Sequence, residues 1–249
     1  MRLRISWILL GLGGFLALLV APPSARAEEL PPEAVVDGVV GHPQERRLSC
    51  ESRSATDLAS FWGARFTEDA FFRRLPKSDN PQRGFVGDVD MPAGSMPPEG
   101  YGVYGEPIAA TLRSFGLDAK AHRATELNRL KQELAAQRPV VVWATYDMQL
   151  PGAETWVSSD GVASSVVRWQ HTFVAIGYDQ AGLYLIDAYD GVTKYFLYEV
   201  FVPAWEQLDR LAVTVRGPHG RSTGRTWLAQ QSDDRCWFLV DGRWTVGPE

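Results

Sequence analysis

The sequence predicts an α+β domain, with helices gathered in the first half of the chain and strands in the second. Two changes of texture carry that expectation. Between Ser52 and Gln137 apolar residues recur at helical spacing, as in Ala55, Leu58, Ala59, Phe61 and Trp62, or Ile108, Leu112 and Phe115. From Pro139 onward they come in short continuous or alternating runs, the reading expected of strands. At 45% apolar and 11% aromatic content, the 249 residues can build one moderately large core.

Taken in order, residues 28–43 read as an extended lead-in with a short strand near 34–40. Residues 51–62 form the first helix, closed by Gly63. Thr67 caps a second helix over 67–75, with Asp69 in its first turn. Residues 76–105 are dense in Gly and Pro, a long loop that reads equally as the wall of a substrate groove or as a surface excursion with no role. Gly105-Glu106-Pro107 opens a helix that Gly116 ends, and 125–137 is an amphipathic helix with Leu127, Leu130 and Leu134 inward. Val140-Val-Val-Trp-Ala-Thr145 is a continuous apolar run and suits a central strand buried on both faces. Residues 148–167 read as a loop or loose hairpin. Strands follow at 169–178, 183–187, 195–197 and 211–215, with a short helix at 199–208 that has Pro203 near its start. A loop at 217–224 precedes a hairpin in which Asp241-Gly242 joins Cys236–Val240 to Arg243–Val246.

The first 27 residues read as a secretory signal peptide. Arg2 and Arg4 precede an apolar run from Ile5 to Ala21, and Ala25 and Ala27 make a small-residue cleavage site before Glu28. The alternative is an uncleaved anchor, for which the run is slightly short. The expected address is secreted, periplasmic or cell-surface, as for a bacterial exported protein. Removing residues 1–27 takes away three arginines and no acid, leaving 22 basic against 30 acidic residues, a formal charge of −8. No basic surplus exists to neutralise phosphates, so nucleic acid and anionic membrane are disfavoured as partners.

Chemistry enters at Cys50. A thiol at a helix start has its thiolate favoured by the unpaired N–H groups there, and the thiolate is the nucleophile. Gln44, six residues upstream, is an amide donor for a developing oxyanion. The competing reading is a disulfide with Cys236, the other cysteine in the chain. A base and its orienting group are offered by the hairpin from His171 to Asp190. A three-residue loop would set residue 173 opposite 187 and put His171 and Asp187 on one face as diagonal neighbours. A four-residue loop would bring Asp190 to His171 instead. His42, His122 and His219 lack ligand spacing, so no metal site is expected; no phosphate loop or dinucleotide fingerprint appears, and no cofactor is expected.

The ordered set Gln44…Leu48-Ser-Cys50-Glu51…Gly63, Asn80-Pro81-Gln-Arg-Gly84-Phe85-Val86-Gly87-Asp88, Gly100-Tyr-Gly102-Val103-Tyr104, His171-Thr-Phe-Val-Ala-Ile-Gly-Tyr178 and Ile186-Asp187 resembles the bacterial cysteine peptidase family 39-like domains, relatives of the bacteriocin-leader peptidases. The resemblance spans roughly residues 36–215. It implies a papain-like fold, the cysteine helix packed on an antiparallel sheet that carries the histidine and acid, and a Cys50–His171–Asp187 triad with Gln44 as oxyanion donor. It disfavours the disulfide, leaving Cys236 a buried free thiol. Glu51, in place of the leader peptidases' frequent Gly, and the charges of Arg53 and Asp57 on the cysteine helix depart from the pattern, as does Ala188 where Pro is frequent.

The resulting expectation is a signal peptide at 1–27, a papain-like domain at 28–216, and a C-terminal loop and hairpin at 217–249. The function expected is an exported thiol hydrolase acting on a peptide or related amide. Two alternatives stand beside it: a non-catalytic binding or scaffold protein on the same fold, and an acyl-transferring relative.

Overall fold

The computed structural model describes residues 30–218, 229–232, 235–240 and 243–246. The signal segment read from residues 1–27 lies outside them, as do most of the loop at 217–224 and the Asp241-Gly242 turn. In chain order the elements are β1 (Ala34–Val35), α1 (Cys50–Phe61), α2 (Glu68–Arg74), β2 (Val86–Gly87), β3 (Gly100–Gly102), α3 (Gly105–Ser114), β4 (Leu117–His122) and α4 (Leu127–Ala135). Then come β5 (Val140–Thr145), β6 (Ala153–Val157), β7 (Ala163–Val167), β8 (Gln170–Tyr178), β9 (Gly182–Asp187), β10 (Thr193–Leu197), α5 (Tyr198–Glu206), β11 (Ala212–Pro218), β12 (Ala229–Ser232), β13 (Arg235–Val240) and β14 (Arg243–Val246). The expected α+β class holds.

One antiparallel sheet in the order β10-β9-β8-β5-β11-β4, with β1 added to β8, forms the frame. Apolar clusters lie on both of its faces. Leu58, Ile108 and Leu112 from α1 and α3 pack with Val141 and Trp143 on one face. Leu130, Leu134, Phe201 and Trp205 from α4 and α5 pack with Val140, Val142 and Ala144 on the other. Alternate side chains of β5 thus enter different cores, which is why its sequence is apolar without alternation. Burying Leu58 completely contributes on the order of 1.5–3 kcal/mol to holding α1 on the sheet. Ser54 Oγ and Thr172 Oγ1, 3.0 Å apart, add a polar tie between α1 and β8.

The charges on α1 are absorbed locally. Arg53 reaches Asp57 at 2.6 Å and Glu68 at 3.4 Å, and Asp57 accepts from the His42 backbone N–H at 3.0 Å. Ser49 Oγ hydrogen-bonds Glu68 as well, so the helix start, α2 and the lead-in share one buried polar cluster. Buried charges are tolerated when paired in this way.

Several expectations need revision. β4 is absent from the sequence expectation, because after Leu117 the exposed Asp118 and Lys120 alternate only with alanines and give a weak period-two signal. Residues 153–167 form a regular two-stranded hairpin, β6 on β7. Pro203 sits inside α5 rather than at its start. Thr67 Oγ1 does cap α2, accepting from Ala70 N–H at 3.0 Å. β11 continues past the residue-216 boundary to Pro218, and β12, β13 and β14 form a separate three-stranded sheet. Among the described residues no helix is long and apolar enough to cross a membrane.

Candidate active site

Cys50 is the first residue of α1, and its side chain opens on a cleft of about 170 Å³. Gln44, Leu48, Tyr101, Trp169, His171 and Tyr189 contribute to its walls. The Gly- and Pro-rich segment before α3 supplies Ala93, Gly94 and Tyr101 to the lining, so it walls the cleft. Gly94 lies against the ring of Trp169 so closely that a methyl there would sit 2.9 Å from the indole carbons. Trp169 itself has φ of 65°, a left-handed conformation rare for a bulky residue and one that recurs at functional sites.

The hairpin register resolves the choice between the two acids. Tyr178 pairs with Leu183, which leaves a four-residue loop, yet the register shifts between Ala175 and Gly177 and Phe173 ends opposite Asp187. The bulge restores the diagonal pairing that a three-residue loop would have given. It falls beside Gly177, where β1 crosses and a methyl would sit 2.8 Å from the Ala34 carbonyl oxygen. His171 Nε2 lies 2.6 Å from Asp187 Oδ1. Asp190 is engaged by Lys194 at 3.0 Å instead.

Asp187 is held from three sides. Besides His171 it accepts from the Tyr189 N–H at 2.8 Å and from Lys194 Nζ at 2.6 Å. Burial opposes its charge, but the imidazole, the ammonium and the backbone N–H outweigh it and hold its carboxyl at about 2. A depressed carboxyl contributes stability that is present above the unfolded value near 3.8 and is lost as pH falls through about 2. Acid titration of thermal stability should therefore show an Asp187-dependent loss of roughly 1–2 kcal/mol between about pH 4 and pH 2, missing in Asp187→Asn.

Cys50 departs from the expected activated thiolate. Its thiol is buried, and burial first, then the Glu51 carboxyl 3.4 Å from Sγ, push it well above the usual thiol range. Among the described residues Sγ makes no hydrogen bond to His171, and none is made to His171 Nδ1. Gln44 lines the cleft, but its Nε2 donates to the Arg46 and Arg47 carbonyls at 2.7 and 2.8 Å, leaving Oε1 buried without a partner. Reversing the amide would set Oε1 against two carbonyl oxygens, so in this state Gln44 is not a free donor.

Cys50 carries a free thiol, and the side chain of Cys236 lies outside what the structure describes. Among the described residues no group of three or more acidic, histidine or cysteine side chains could hold a metal ion. Sequence reasoning did not mark Tyr101, Tyr146, Trp169 or Tyr189 as lining residues. Trp169, two positions before His171, was the available signal; the tyrosines converge only through folding.

A helix that begins at the cysteine, packed on an antiparallel sheet carrying a histidine–aspartate pair, defines the papain-like fold. The Peptidase_C39 like family model matches residues 36–213, and the chain belongs to that family. A putative C39-like peptidase from Bacillus anthracis superposes with a TM-score of 0.66 at 23% identity, over 77% of this chain and 99% of the other. Xylellain, a cysteine protease from Xylella fastidiosa, gives 0.46 at 14% identity over 76% and 87%. The uncharacterized protein YvpB of Bacillus subtilis is 27% identical over 139 residues, which are 55% of this chain and 53% of YvpB. The match thus spans about half of that relative's length.

Proposed function

We propose that the chain is an exported cysteine peptidase that cleaves a peptide or related amide bond. The observation that carries this reading is the buried His171–Asp187 pair, 2.6 Å apart, opening on the same cleft as the free thiol of Cys50. Asp187 fixes the imidazole through Nε2, which leaves Nδ1 to accept the thiol proton. Rotation of Cys50 brings Sγ to that nitrogen. The sulfur attacks the amide carbon as the proton passes to His171, which then protonates the leaving amine; water hydrolyses the thioester. The Cys50 backbone N–H, at the start of α1, is one oxyanion donor, and Gln44 becomes the other once its amide turns from the Arg46 and Arg47 carbonyls. The aromatic wall of Tyr101, Tyr146, Trp169 and Tyr189 suits an apolar substrate side chain.

Export rests on Arg2, Arg4, the apolar run and the Ala25-Arg-Ala27 site. Cell fractionation should place the protein outside the cytoplasm with Glu28 as its first residue on N-terminal sequencing; an intact Met1 would mean an uncleaved anchor, and retention in the cytoplasm would sink the export reading.

The turn of Cys50 toward Glu51 favours a second reading, a peptide-binding module without turnover. Incubating residues 28–249 with a diverse peptide library and reading new termini by mass spectrometry separates the two. Cleavage that Cys50→Ala abolishes supports the peptidase. Peptides retained intact by both proteins support the binding module.

A further inference from the structure

Glu51 is an unusual neighbour for a nucleophile. It is 1% exposed, and among the described residues it has no cation within ion-pair distance. Its Oε1 accepts from the Val103 N–H at 2.8 Å and from Gln170 Nε2 at 3.0 Å, while Oε2 lies 3.4 Å from Cys50 Sγ. One carboxyl therefore joins three segments behind the cleft: the start of α1, the segment after β3, and the residue before His171. The fit is tight, since a methyl on Gly102, whose φ is 130°, would collide with Oε1. A clamp alone would not need a charge. An amide oxygen could accept the same N–H groups, with its nitrogen beside the sulfur, so the acidity of Glu51 calls for a role of its own.

We propose that Glu51 is a positioning residue that holds Cys50 as a protonated donor turned away from His171, so that the nucleophile is released only when Sγ rotates to the imidazole. This rests on the peptidase reading above. A negative oxygen 3.4 Å from sulfur opposes a thiolate and favours S–H···O. The proton stays on sulfur at rest and passes to His171 Nδ1 during attack, so no ion pair is stored in advance. A thiol held in this form also resists oxidation, because the thiolate is the species that reacts.

The titratable and charged groups around the pair are few. His171 on β8, Tyr101 on β3, Tyr146, Tyr189 and Arg47 share the cleft with Cys50. Tyr101 and Tyr104 lie near Glu51, and Lys77 is the cation its charge acts on. Burial raises the Glu51 carboxyl as well, opposed by the Val103 and Gln170 donors.

The test measures the rate of Cys50 alkylation by iodoacetamide against pH, by intact mass, in residues 28–249 carrying Cys236→Ser. The parent should gain reactivity only above the free-cysteine range near 8.5, and His171→Ala should leave its midpoint in place. Glu51→Gln removes the charge and puts an N–H beside the sulfur, so its midpoint should fall and its rate near pH 7 should rise about tenfold or more. Coincident profiles for Glu51→Gln and the parent would overturn the proposal. Should Glu51→Gln lack a cooperative melt, the parent decides alone, and a midpoint at or below neutral pH overturns it. The readout needs no substrate: a downward shift with no peptide turnover retires the peptidase reading and keeps the Glu51–Cys50 coupling. Turnover with coincident profiles does the reverse.

Discussion

Replacing His171 by alanine is expected to lower kcat/KM on a cleaved peptide by on the order of 10³-fold or more, and Asp187→Asn by about 10²–10⁴-fold. The reasons differ. In the proposed mechanism His171 is the base and then the acid, and without it the thiol, whose ionisation burial and Glu51 oppose, has nowhere to send its proton. Asp187→Asn keeps the shape but loses the charge that holds the ring through Nε2, and it also leaves Lys194 without its 2.6 Å partner. The measurement is steady-state kinetics on one peptide from the library screen, with far-ultraviolet circular dichroism confirming the fold. Asp190→Asn serves as the contrast, because Asp190 pairs with Lys194 and not with His171. It should cost less than tenfold. Equal losses for Asp187→Asn and Asp190→Asn would sink the assignment of Asp187.

Trp143→Ala is expected to cost the most stability, about 3–5 kcal/mol, with a further 1–3 kcal/mol for the carbonyl it strands. Trp143 lies in the middle of β5, fully buried, and its Nε1 donates to the Val103 carbonyl at 3.0 Å. Val103 in turn gives its N–H to Glu51. The substitution therefore opens a cavity in the core and loosens the backbone that seats the residue beside Cys50. Urea unfolding should show the midpoint fall with the slope unchanged. Trp143→Phe, which fills much of the volume but cannot donate, should lose only part of this. A Trp143→Ala protein within 1 kcal/mol of the parent would contradict the packing described.

The long-range consequence of these two predictions is the same. Cys50, Tyr101 and His171 are far apart in the chain, and the cleft exists because the fold brings them together.

The elements that the sequence by itself determined are those whose local chemistry is strong. The α1 stripe of Ala55, Leu58 and Ala59, the Thr67 cap and the run at β5 each declare their structure within a dozen residues, and the ordered motifs between residues 36 and 215 resemble the family whose model matches residues 36–213. β4 is the converse case: beyond Leu117 its inward residues are alanines and its outward ones charged, so little apolar contrast remains along it. Register, rotamer and neighbourhood are set by long-range packing instead. The choice of Asp187 over Asp190 hangs on a bulge between Ala175 and Gly177, because a one-residue slip changes which acid faces the histidine. The upward shift of the Cys50 thiol likewise comes from burial and from a carboxyl 3.4 Å away, whereas a helix start read from sequence predicts the opposite sign. Local sequence sets which groups are available, but their electrostatic balance is fixed by what folding removes from water.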